Sequence, residues 1–429
     1  MTFAWKELRS EVEERFSELS TNTELVESAL RMLEDWLSDP LCVLFRDPIL
    51  AHVHYRQFPL LLDSFHQFIP FGTGGRRGPV GYGPNRINSV TVALSVQGHC
   101  NYLRERKADS GRIVVAFDTR IFSDISQTYK FLGPDHPLLG LSSRLLARAA
   151  CEIYAGNGFV VYVQLAGLTT DNVFTSTPEL SFAIRRFRAL GGMNVSASHN
   201  HPDDNGFKFF NTEGAQDVPP TDQELTDYMQ EVKEVRQLPF DAAVGKGLIQ
   251  SIPPDLHQAY IATNLALRSK PATRPIRVVY TPLCGTGDST VGDVLRAAGH
   301  EVVLYAPQAN FDGTFASVPF RLPNPEIPDA ARPALPWAKE QNAELVLFTD
   351  PDADRLGIYA RARGERWRYL NGNEIAAILA YYLVADHARG PRRSGLLIET
   401  LVTTRMMIRI AAKGVCTIVS DFLVGFKYI

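Results

Sequence analysis

The sequence lacks the features that define several classes of protein. Its 429 residues contain five widely spaced cysteines and no CxxC pair, which argues against a disulfide framework or a zinc cage and predicts a reducing, cytoplasmic location. The net charge is only -3, so we expect neither nucleic acid nor an anionic membrane as a partner. The sequence contains no run of about 18 apolar residues, so we expect no membrane span. The opening residues, MTFAWKELRSEVEERF, do not resemble a signal peptide.

What is present describes a globular α/β chain. Hydrophobic residues make up 45% of it, enough for full cores, and its length predicts about three domains. Residues 5–37 have helical spacing without internal glycine or proline, which predicts an N-terminal helical extension. Strand-like and helical segments then alternate, which predicts consecutive α/β domains with mixed sheets. Proline-rich stretches place the domains at 1–220, 221–325 and 326–429.

Three alternating aspartates follow the apolar run VLF in the segment FTDPDADRLG. An extended loop can aim Asp350, Asp352 and Asp354 at one point, forming the oxygen environment that Mg²⁺ prefers and leaving positions open for phosphate or water. Arg355 follows and could stabilise phosphoryl charge. The alternative is a solvated acidic turn. We do not expect calcium binding by an EF-hand, because the glycine after the third aspartate and the distal glutamate of that loop are missing.

A second polar segment, GMNVSASHNHPDDNGFKFFN, places Ser198 between small residues. A hydroxyl there could carry a phosphoryl group, and Lys208 could transfer a proton or contact phosphate. The neighbouring histidines, His199 and His201, could bind a metal or make turn hydrogen bonds. A plain polar loop is the alternative interpretation.

A glycine-rich segment, FGTGGRRGPVGYGPNRIN, holds Arg76, Arg77 and Arg86. Glycine allows the backbone to approach a phosphate, and arginine pairs with it. The segment matches neither the P-loop nor the dinucleotide-binding fingerprint. A flexible structural turn is the alternative.

Together these segments are much more specific than any one of them. In chain order the motifs are FGTGGRRGPVGYGPNRIN (71–88), FDTR (117–120), STPELSFAIR (176–185), SASHNHPDDNGFK (196–208), YTPLCGTG (280–287), DPDADR (350–355), LNGNEIAAIL (370–379) and GFKYI (425–429). The series resembles the α-D-phosphohexomutase superfamily, and within it the phosphoglucomutase and phosphopentomutase branch. The resemblance extends from about residue 30 to the last residue.

This resemblance implies a phosphosugar mutase, an isomerase that moves a phosphoryl group between the C1 and C6 (or C5) hydroxyls of a sugar through a phosphoserine and a sugar bisphosphate. It implies Mg²⁺ as cofactor, a sugar 1,6-bisphosphate as the activator that phosphorylates the serine, and a small sugar phosphate as partner. The residues implied are Ser198, Lys208, Arg355, Arg77 and His199 for catalysis, Arg76, Asn200, Glu399 and Lys427 for substrate, and Asp350, Asp352, Asp354 and phosphorylated Ser198 for the metal.

Several positions depart from the branch. Gly74 and Arg76 stand where it usually has alanine and leucine, and His201 displaces the usual proline. Glu399 replaces a lysine that contacts phosphate, so it either weakens phosphosugar affinity or points into the metal or arginine cluster. Family members continue past GFKYI into a sugar-recognition loop and a fourth domain. We therefore expect either a piece of a longer protein or a natively shortened one.

The favoured reaction is the interconversion of glucose 1-phosphate and glucose 6-phosphate. Phosphopentomutase and phosphomannomutase activities are the alternatives within the family. A phosphosugar-binding relative or fragment that has lost turnover is the alternative outside catalysis. A slow phosphatase is a further possibility, because a phosphoserine open to water would hydrolyse.

Overall fold

The computed structural model describes residues 3–72, 74–106, 111–169, 171–267, 274–364, 366–389, 395–413 and 416–429. The α-helices are α1 (Phe3–Leu19), α2 (Thr23–Ser38), α3 (Arg46–His54), α4 (Phe58–Phe65), α5 (Ser89–Glu105), α6 (Ser143–Gly156), α7 (Leu165–Thr169), α8 (Thr177–Phe187), α9 (Thr221–Gln230), α10 (Phe240–Gly245), α11 (Pro254–Ala266), α12 (Val291–Ala297), α13 (Ala334–Glu340), α14 (Gly372–Arg389) and α15 (Met406–Ala411). The strands are β1 (Arg76–Pro79), β2 (Arg112–Phe117), β3 (Val160–Val163), β4 (Gly191–Val195), β5 (Asp204–Phe210), β6 (Ile249–Ser251), β7 (Arg277–Thr281), β8 (Glu301–Leu304), β9 (Leu345–Thr349), β10 (Leu356–Arg361), β11 (Trp367–Leu370), β12 (Gly395–Thr400) and β13 (Cys416–Phe422). Within these ranges no helix is both long and apolar enough to cross a membrane.

The N-terminal extension is helical, but it is interrupted where the sequence predicted continuity. Helix α1 ends at Leu19, and α2 begins after Asn22, whose side chain accepts the Leu25 N–H at 3.1 Å. Polar residues such as Ser20 and Asn22 bond to the local backbone and favour a cap over helix continuation. The helices share one buried core with the first α/β unit; its large members include Trp5, Phe16, Trp36, Phe45, Phe65, Tyr82, Phe122 and Tyr129.

The first sheet has the strand order β1-β5-β4-β2-β3-β6. Strands β2, β3, β4 and β6 run parallel, and β5 runs antiparallel to both its neighbours. Along β2, Ile113 and Val115 pack in the cluster under α5 and α6, while Val114 and Ala116 pack against α8. A strand covered on both faces is apolar throughout, as RIVVAF is. Because β2 and β4 are parallel neighbours, the segments that follow them meet at one edge of the sheet.

The second sheet has the order β11-β10-β9-β7-β8, with β7 parallel to β8 and β9, and β10 antiparallel to β9 and β11. Its β9 strand packs Val346 and Phe348 into a cluster that includes Ala334 and Ala338 of α13. The buried strand ends at Thr349, so the aspartate segment begins at the carboxyl edge of this sheet.

The sheets divide the chain differently from the boundaries predicted near 220 and 325. Strand β6, at 249–251, belongs to the first sheet, and the second sheet extends from β7 to β11, through residue 325. The proline-rich stretch at 323–336 lies in the connection between β8 and β9 of one sheet. Proline restricts the local backbone and is tolerated in the first turn of a helix, and here the prolines mark a long connection inside a unit that ends in the first turn of α13.

The last unit contains the parallel pair β12 and β13 with α14 and α15, joined by a small cluster of Ala380, Val384, Met407 and Ile410. With the two larger sheets, this confirms the predicted α/β class with mixed sheets. The fold thus brings the carboxyl edges of the first two sheets together around the predicted serine and aspartates.

Candidate active site

Ser198 occupies a tight turn after β4 at the carboxyl edge of the first sheet. Its φ angle of 54° lies in the left-handed region, which is uncommon for a residue other than glycine and clusters at functional sites. The Ser196 hydroxyl accepts the Ser198 N–H at 2.8 Å. The Ser198 hydroxyl is fully buried and donates to Asp350 Oδ2 at 2.5 Å. The predicted nucleophile and the predicted metal loop are therefore in direct contact.

Arg120 holds this turn in place through main-chain oxygens. Its buried guanidinium donates to the carbonyls of Ser198, Asn200 and His201 at 2.5, 2.7 and 2.8 Å. Asp118 pairs with the same guanidinium at 3.1 Å and accepts hydrogen bonds from the hydroxyls of two serines, 143 and 196. Burial raises the pKa of Asp118, and Arg120 opposes that effect.

Sequence reasoning assigned no role to Arg120 or Asp118. The signal was present in FDTR, which directly follows the apolar run RIVVA. Residues at the end of a buried parallel strand lie at the edge where ligand sites form in α/β sheets. An arginine there, one strand away from a polar turn, is a candidate for fixing that turn.

The three aspartates converge as the sequence predicted. One ligand oxygen from each of Asp350, Asp352 and Asp354 lies within 4.8 Å of the others. The turn is closed by Asp350 Oδ1, which accepts the N–H groups of Asp354 and Arg355 at 3.2 and 3.0 Å. Ala353 adopts a left-handed φ of 57°, which turns the loop back on itself.

Lys208, on β5, pairs with this loop from the first sheet. Its ammonium donates to Asp352 Oδ2 at 2.7 Å and to Asp354 Oδ2 at 3.2 Å. Burial alone would lower the pKa of Lys208, but the two carboxylates outweigh it and leave the pKa raised. Lys208 therefore remains an ammonium in this arrangement.

The carboxylates are suited to a divalent cation. Burial, followed by the charges of Asp352 and Asp354, raises the pKa of Asp350 well above its ordinary value. Burial opposes ionisation of Asp352 as well, but Lys208 holds the pKa of that group low. Among the described residues Asp352 Oδ1 is buried without a hydrogen-bond partner. Crowded, desolvated oxygens with one acceptor unused are the donor set that a hard cation such as Mg²⁺ would satisfy.

A cationic group lies on the other side of Ser198. Arg355 Nη1 is 2.6 Å from His199 Nδ1, and that nitrogen is 3.3 Å from the Ser198 hydroxyl. Burial lowers the pKa of His199 to about 4, with further lowering from Arg355, Arg77 and Arg120. The imidazole is therefore neutral near pH 7 and can accept from the guanidinium.

Arg77 reaches the site from the glycine-rich loop, where its Nε donates to the Gly74 carbonyl at 2.8 Å. A Cβ at Gly74 would lie 2.6 Å from Arg77 Nη2, so an alanine here would force the guanidinium to move. At Gly75, φ is 91° and a Cβ would meet the Phe207 carbonyl at 2.3 Å. These two glycines allow the loop to lie against β5 beside Lys208.

Arg76 is not part of this cluster. Adjacent residues on a strand point to opposite faces, and Arg76 points into the first unit, where Nη1 donates to Ser95 Oγ at 3.1 Å and the guanidinium lies over the Phe71 ring. Burial lowers its pKa to about 10. The residue therefore occupies a core position. Its predicted contact with substrate is therefore not supported.

Glu399 and Lys427 also form other contacts. Glu399 is buried and pairs with Arg405 at 3.3 Å, and Arg405 in turn pairs with Asp421. This arginine belongs to the last unit, and among the described residues Glu399 makes no ion pair with Arg77 or Arg355. Lys427 pairs with Asp222 at the start of α9 at 3.0 Å. Motif matches identified these residues, but the motif could not specify their partners.

Asn200 shapes the serine turn, and its contact with substrate stays a prediction. Its side chain donates to Asp204 Oδ2 at 2.9 Å, and its carbonyl accepts from Arg120. His201 lies next to Asp203, whose N–H donates to His201 Nδ1 at 3.2 Å. His201 thus makes a turn hydrogen bond, the alternative that its sequence context left open.

Two family models match the chain. "Phosphoglucomutase/phosphomannomutase, alpha/beta/alpha domain I" matches residues 69–129 and 140–236, which include the serine turn and Lys208. "Phosphoglucomutase/phosphomannomutase, alpha/beta/alpha domain II" matches residues 255–364, which include the aspartates. The second match passes through residue 325, as the second sheet does.

Two phosphoglucomutases match most of this chain in sequence. The phosphoglucomutase of Staphylococcus haemolyticus is 32% identical over 372 residues, covering 86% of this chain and 62% of the relative. That of Staphylococcus saprophyticus is 30% identical over 370 residues, covering 85% and 61%. The chain thus spans about three fifths of the length of these relatives.

Solved structures show the same fold at lower identity. A phosphoglucomutase/phosphomannomutase family protein from Burkholderia thailandensis superposes with a TM-score of 0.60 at 19% identity, covering 83% of this chain and 67% of that one. The open form of pp63/parafusin from Paramecium superposes with a TM-score of 0.56 at 17% identity, covering 83% and 62%.

Proposed function

Since the chain belongs to the phosphoglucomutase/phosphomannomutase family, we propose that it interconverts glucose 1-phosphate and glucose 6-phosphate through a phosphoserine at Ser198 and glucose 1,6-bisphosphate. The observation that carries the proposal is the 2.5 Å contact between Ser198 Oγ and Asp350 Oδ2, which joins the nucleophile of one sheet to the acidic loop of the other. The relatives named phosphoglucomutase support glucose as the sugar.

The proposed metal is Mg²⁺, held by Asp350, Asp352 and Asp354. When bound, it would neutralise charge on the phosphoryl oxygens next to Ser198. The support is the donor set: three carboxylates whose ligand oxygens lie within 4.8 Å, with Asp352 Oδ1 left unpaired by the surrounding described residues.

In one half-reaction, the C6 hydroxyl of glucose 1-phosphate attacks the phosphorus of the phosphoserine. The bond from phosphorus to the C6 oxygen forms as the bond to Ser198 Oγ breaks, giving the bisphosphate and the free serine. Lys208 is charged in this arrangement, which supports it as the donor that protonates the departing Oγ. The proton lost by the C6 hydroxyl restores the Lys208 ammonium, so the proton count balances.

The remaining cations are proposed to stabilise charge rather than to move protons. Arg355 and Arg77 lie around the serine turn, where guanidinium donors can bind the three equatorial oxygens of the transferring group. His199 is neutral and directs Arg355 by accepting its hydrogen bond. The site then works mainly by positioning and preorganised charge, as phosphoryl transfer requires.

The test is phosphorylation of the purified chain. Incubation with glucose 1,6-bisphosphate and Mg²⁺ should add one phosphate by intact mass, located on Ser198 by peptide mapping. Ser198→Ala should abolish the gain, and Ser17→Ala, at an exposed position on α1, should leave it unchanged. A wild-type chain that takes up no phosphate would contradict the proposal.

A coupled assay then addresses turnover and sugar choice. We expect glucose 1-phosphate to be converted faster than mannose 1-phosphate or ribose 1-phosphate. Phosphorylation of Ser198 without turnover of any of the three would instead support the phosphosugar-binding alternative.

A further inference from the structure

Thr177, the first residue of α8, connects the serine-bearing unit to the aspartate loop through two hydrogen bonds. Its main-chain N–H donates to the Asp352 carbonyl at 2.9 Å, and its hydroxyl donates to Asp352 Oδ2 at 2.8 Å. Both bonds pass from the first sheet's unit to the second sheet's loop. The N-cap of α8 is the neighbouring Ser176, so the Thr177 side chain is not needed to cap its own helix.

A hydrogen bond from Asn194 orients the Thr177 hydroxyl. Asn194, the fourth of the five residues of β4, donates from Nδ2 to Thr177 Oγ1 at 2.7 Å. A hydroxyl can donate one hydrogen bond and accept others. Because the Thr177 oxygen accepts from the Asn194 amide, its proton is directed to a different acceptor. Here it points to Asp352. Asn194 is almost fully buried, and Thr177 is half-buried.

The arrangement distinguishes the two oxygens of the Asp352 carboxylate. Oδ2 accepts from both Thr177 and Lys208, at 2.8 and 2.7 Å. Oδ1 is buried and accepts from no N–H or hydroxyl group of the described residues. The other group that hydrogen-bonds to the Asp352 carboxylate is the carboxyl of Asp350, itself a proposed ligand. Two donors on one oxygen fix the rotation of the carboxylate and leave the other oxygen unused.

We propose that Thr177, oriented by Asn194, is a positioning residue that holds Asp352 so that Oδ1 faces a divalent cation. The inference rests on the proposed metal site of the mutase. Groups behind metal ligands are known to set ligand orientation and metal affinity. Thr177 acts through Asp352 and also fixes the aspartate loop relative to the strand that leads to Ser198.

The test compares metal affinity among threonine variants of the full chain, with Mn²⁺ as probe, measured by calorimetry and by electron paramagnetic resonance. Thr177→Val keeps the shape but removes the hydroxyl and should weaken Mn²⁺ binding by about tenfold. Thr177→Ser keeps the hydroxyl and should restore affinity close to wild type. Thr263→Val, at an exposed position of α11, is the matched control and should bind as wild type does.

A second variant covers the case in which Thr177→Val fails to fold. Asn194→Ala leaves Thr177 in place but removes the donor that orients its hydroxyl, and it should weaken Mn²⁺ binding by a smaller factor. Thermal melts of the metal-free proteins identify any variant whose loss reflects unfolding. Wild-type Mn²⁺ affinity in both folded variants would overturn the inference.

Labelling of Ser198 by glucose 1,6-bisphosphate separates this inference from the proposed function. Weaker Mn²⁺ binding in Thr177→Val supports the positioning role even if wild-type Ser198 takes up no phosphate, an outcome that would reject only the mutase. Normal Mn²⁺ binding in Thr177→Val together with normal labelling of wild type would reject only the positioning role.

Discussion

The Arg120 guanidinium donates to the main-chain oxygen of Ser198 at 2.5 Å, across a fully buried contact between the ends of β2 and β4. The same group binds two further carbonyls of the turn. A left-handed serine is strained in isolation, and it persists where surrounding contacts determine its conformation. The shape of the nucleophile turn therefore depends on a residue that does not contact the Ser198 hydroxyl.

Replacing Arg120 should affect both stability and phosphorylation. Arg120→Met leaves Asp118 as a buried charge without its partner, which should lower the free energy of unfolding by about 3–5 kcal/mol. Phosphate uptake by Ser198 should be lost because three carbonyls lose their donor. Urea unfolding and intact mass measure the two effects.

The double variant Arg120→Met/Asp118→Asn separates them. It removes the unpaired charge of Asp118 and should recover part of the free energy of unfolding, while Ser198 phosphorylation should remain absent. Wild-type phosphorylation in the double variant would show that the arginine is needed only to balance Asp118.

Arg76 and Arg77 should respond oppositely to the same substitution. Arg76 is buried and has no carboxylate partner among the described residues, so Arg76→Met should be neutral or stabilise the fold by about 1 kcal/mol and leave Ser198 phosphorylation intact. Arg77→Met should preserve stability but slow phosphate uptake by at least about tenfold, since it removes a donor to the transferring group. Rapid-quench labelling and urea unfolding test both variants. Slow labelling of Ser198 in Arg76→Met would show that Arg76 contributes to the active site.

The sequence predicted the elements of the fold better than their grouping. Apolar runs such as RIVVAF identified strands because a strand covered on both faces must be apolar throughout. The grouping failed at residue 325 because prolines report local backbone geometry, whereas membership of a sheet depends on pairing between β7 and β9, far apart in the chain.

In the candidate site too, the sequence predicted local features better than long-range contacts. Ser198, Lys208 and the three aspartates were predicted from local chemistry, and the fold brings them together. Arg76, Glu399 and Lys427 make contacts that the motifs did not specify, because strand orientation and distant partners decide where a long charged side chain points. Arg120 was missed although FDTR follows a buried strand, because the backbone oxygens that it binds are present in every residue and do not identify the turn as its partner.

Gly285 supports the aspartate loop by leaving room for it. A Cβ at this position would lie 2.2 Å from the Pro351 Cα, between two of the proposed ligands. Gly285→Ala should therefore displace the loop, costing about 1–3 kcal/mol of stability and weakening Mn²⁺ binding. Gly245→Ala, where a Cβ meets nothing within 4 Å, is the matched control and should leave Mn²⁺ binding unchanged. Calorimetric titration with Mn²⁺ compares the two, and equal affinities would contradict a supporting role for Gly285.

His257 should make the stability of the first two units depend on pH. It lies on α11 between Glu179 of α8, at 2.7 Å, and Asp293 of α12, at 3.2 Å, and its hydrogen bond to Glu179 contributes most to raising its pKa to about 8 from an ordinary 6.5. The folded state therefore binds the proton more tightly, so the stabilisation is complete below pH 6.5 and is lost as pH rises through about 8. Solvent around the partly exposed ring limits the effect to about 1 kcal/mol. Urea unfolding across this range should show the decline in wild type and in His54→Gln, an exposed control on α3, and a flatter profile in His257→Gln. An unchanged slope in His257→Gln would assign the pH dependence to another group.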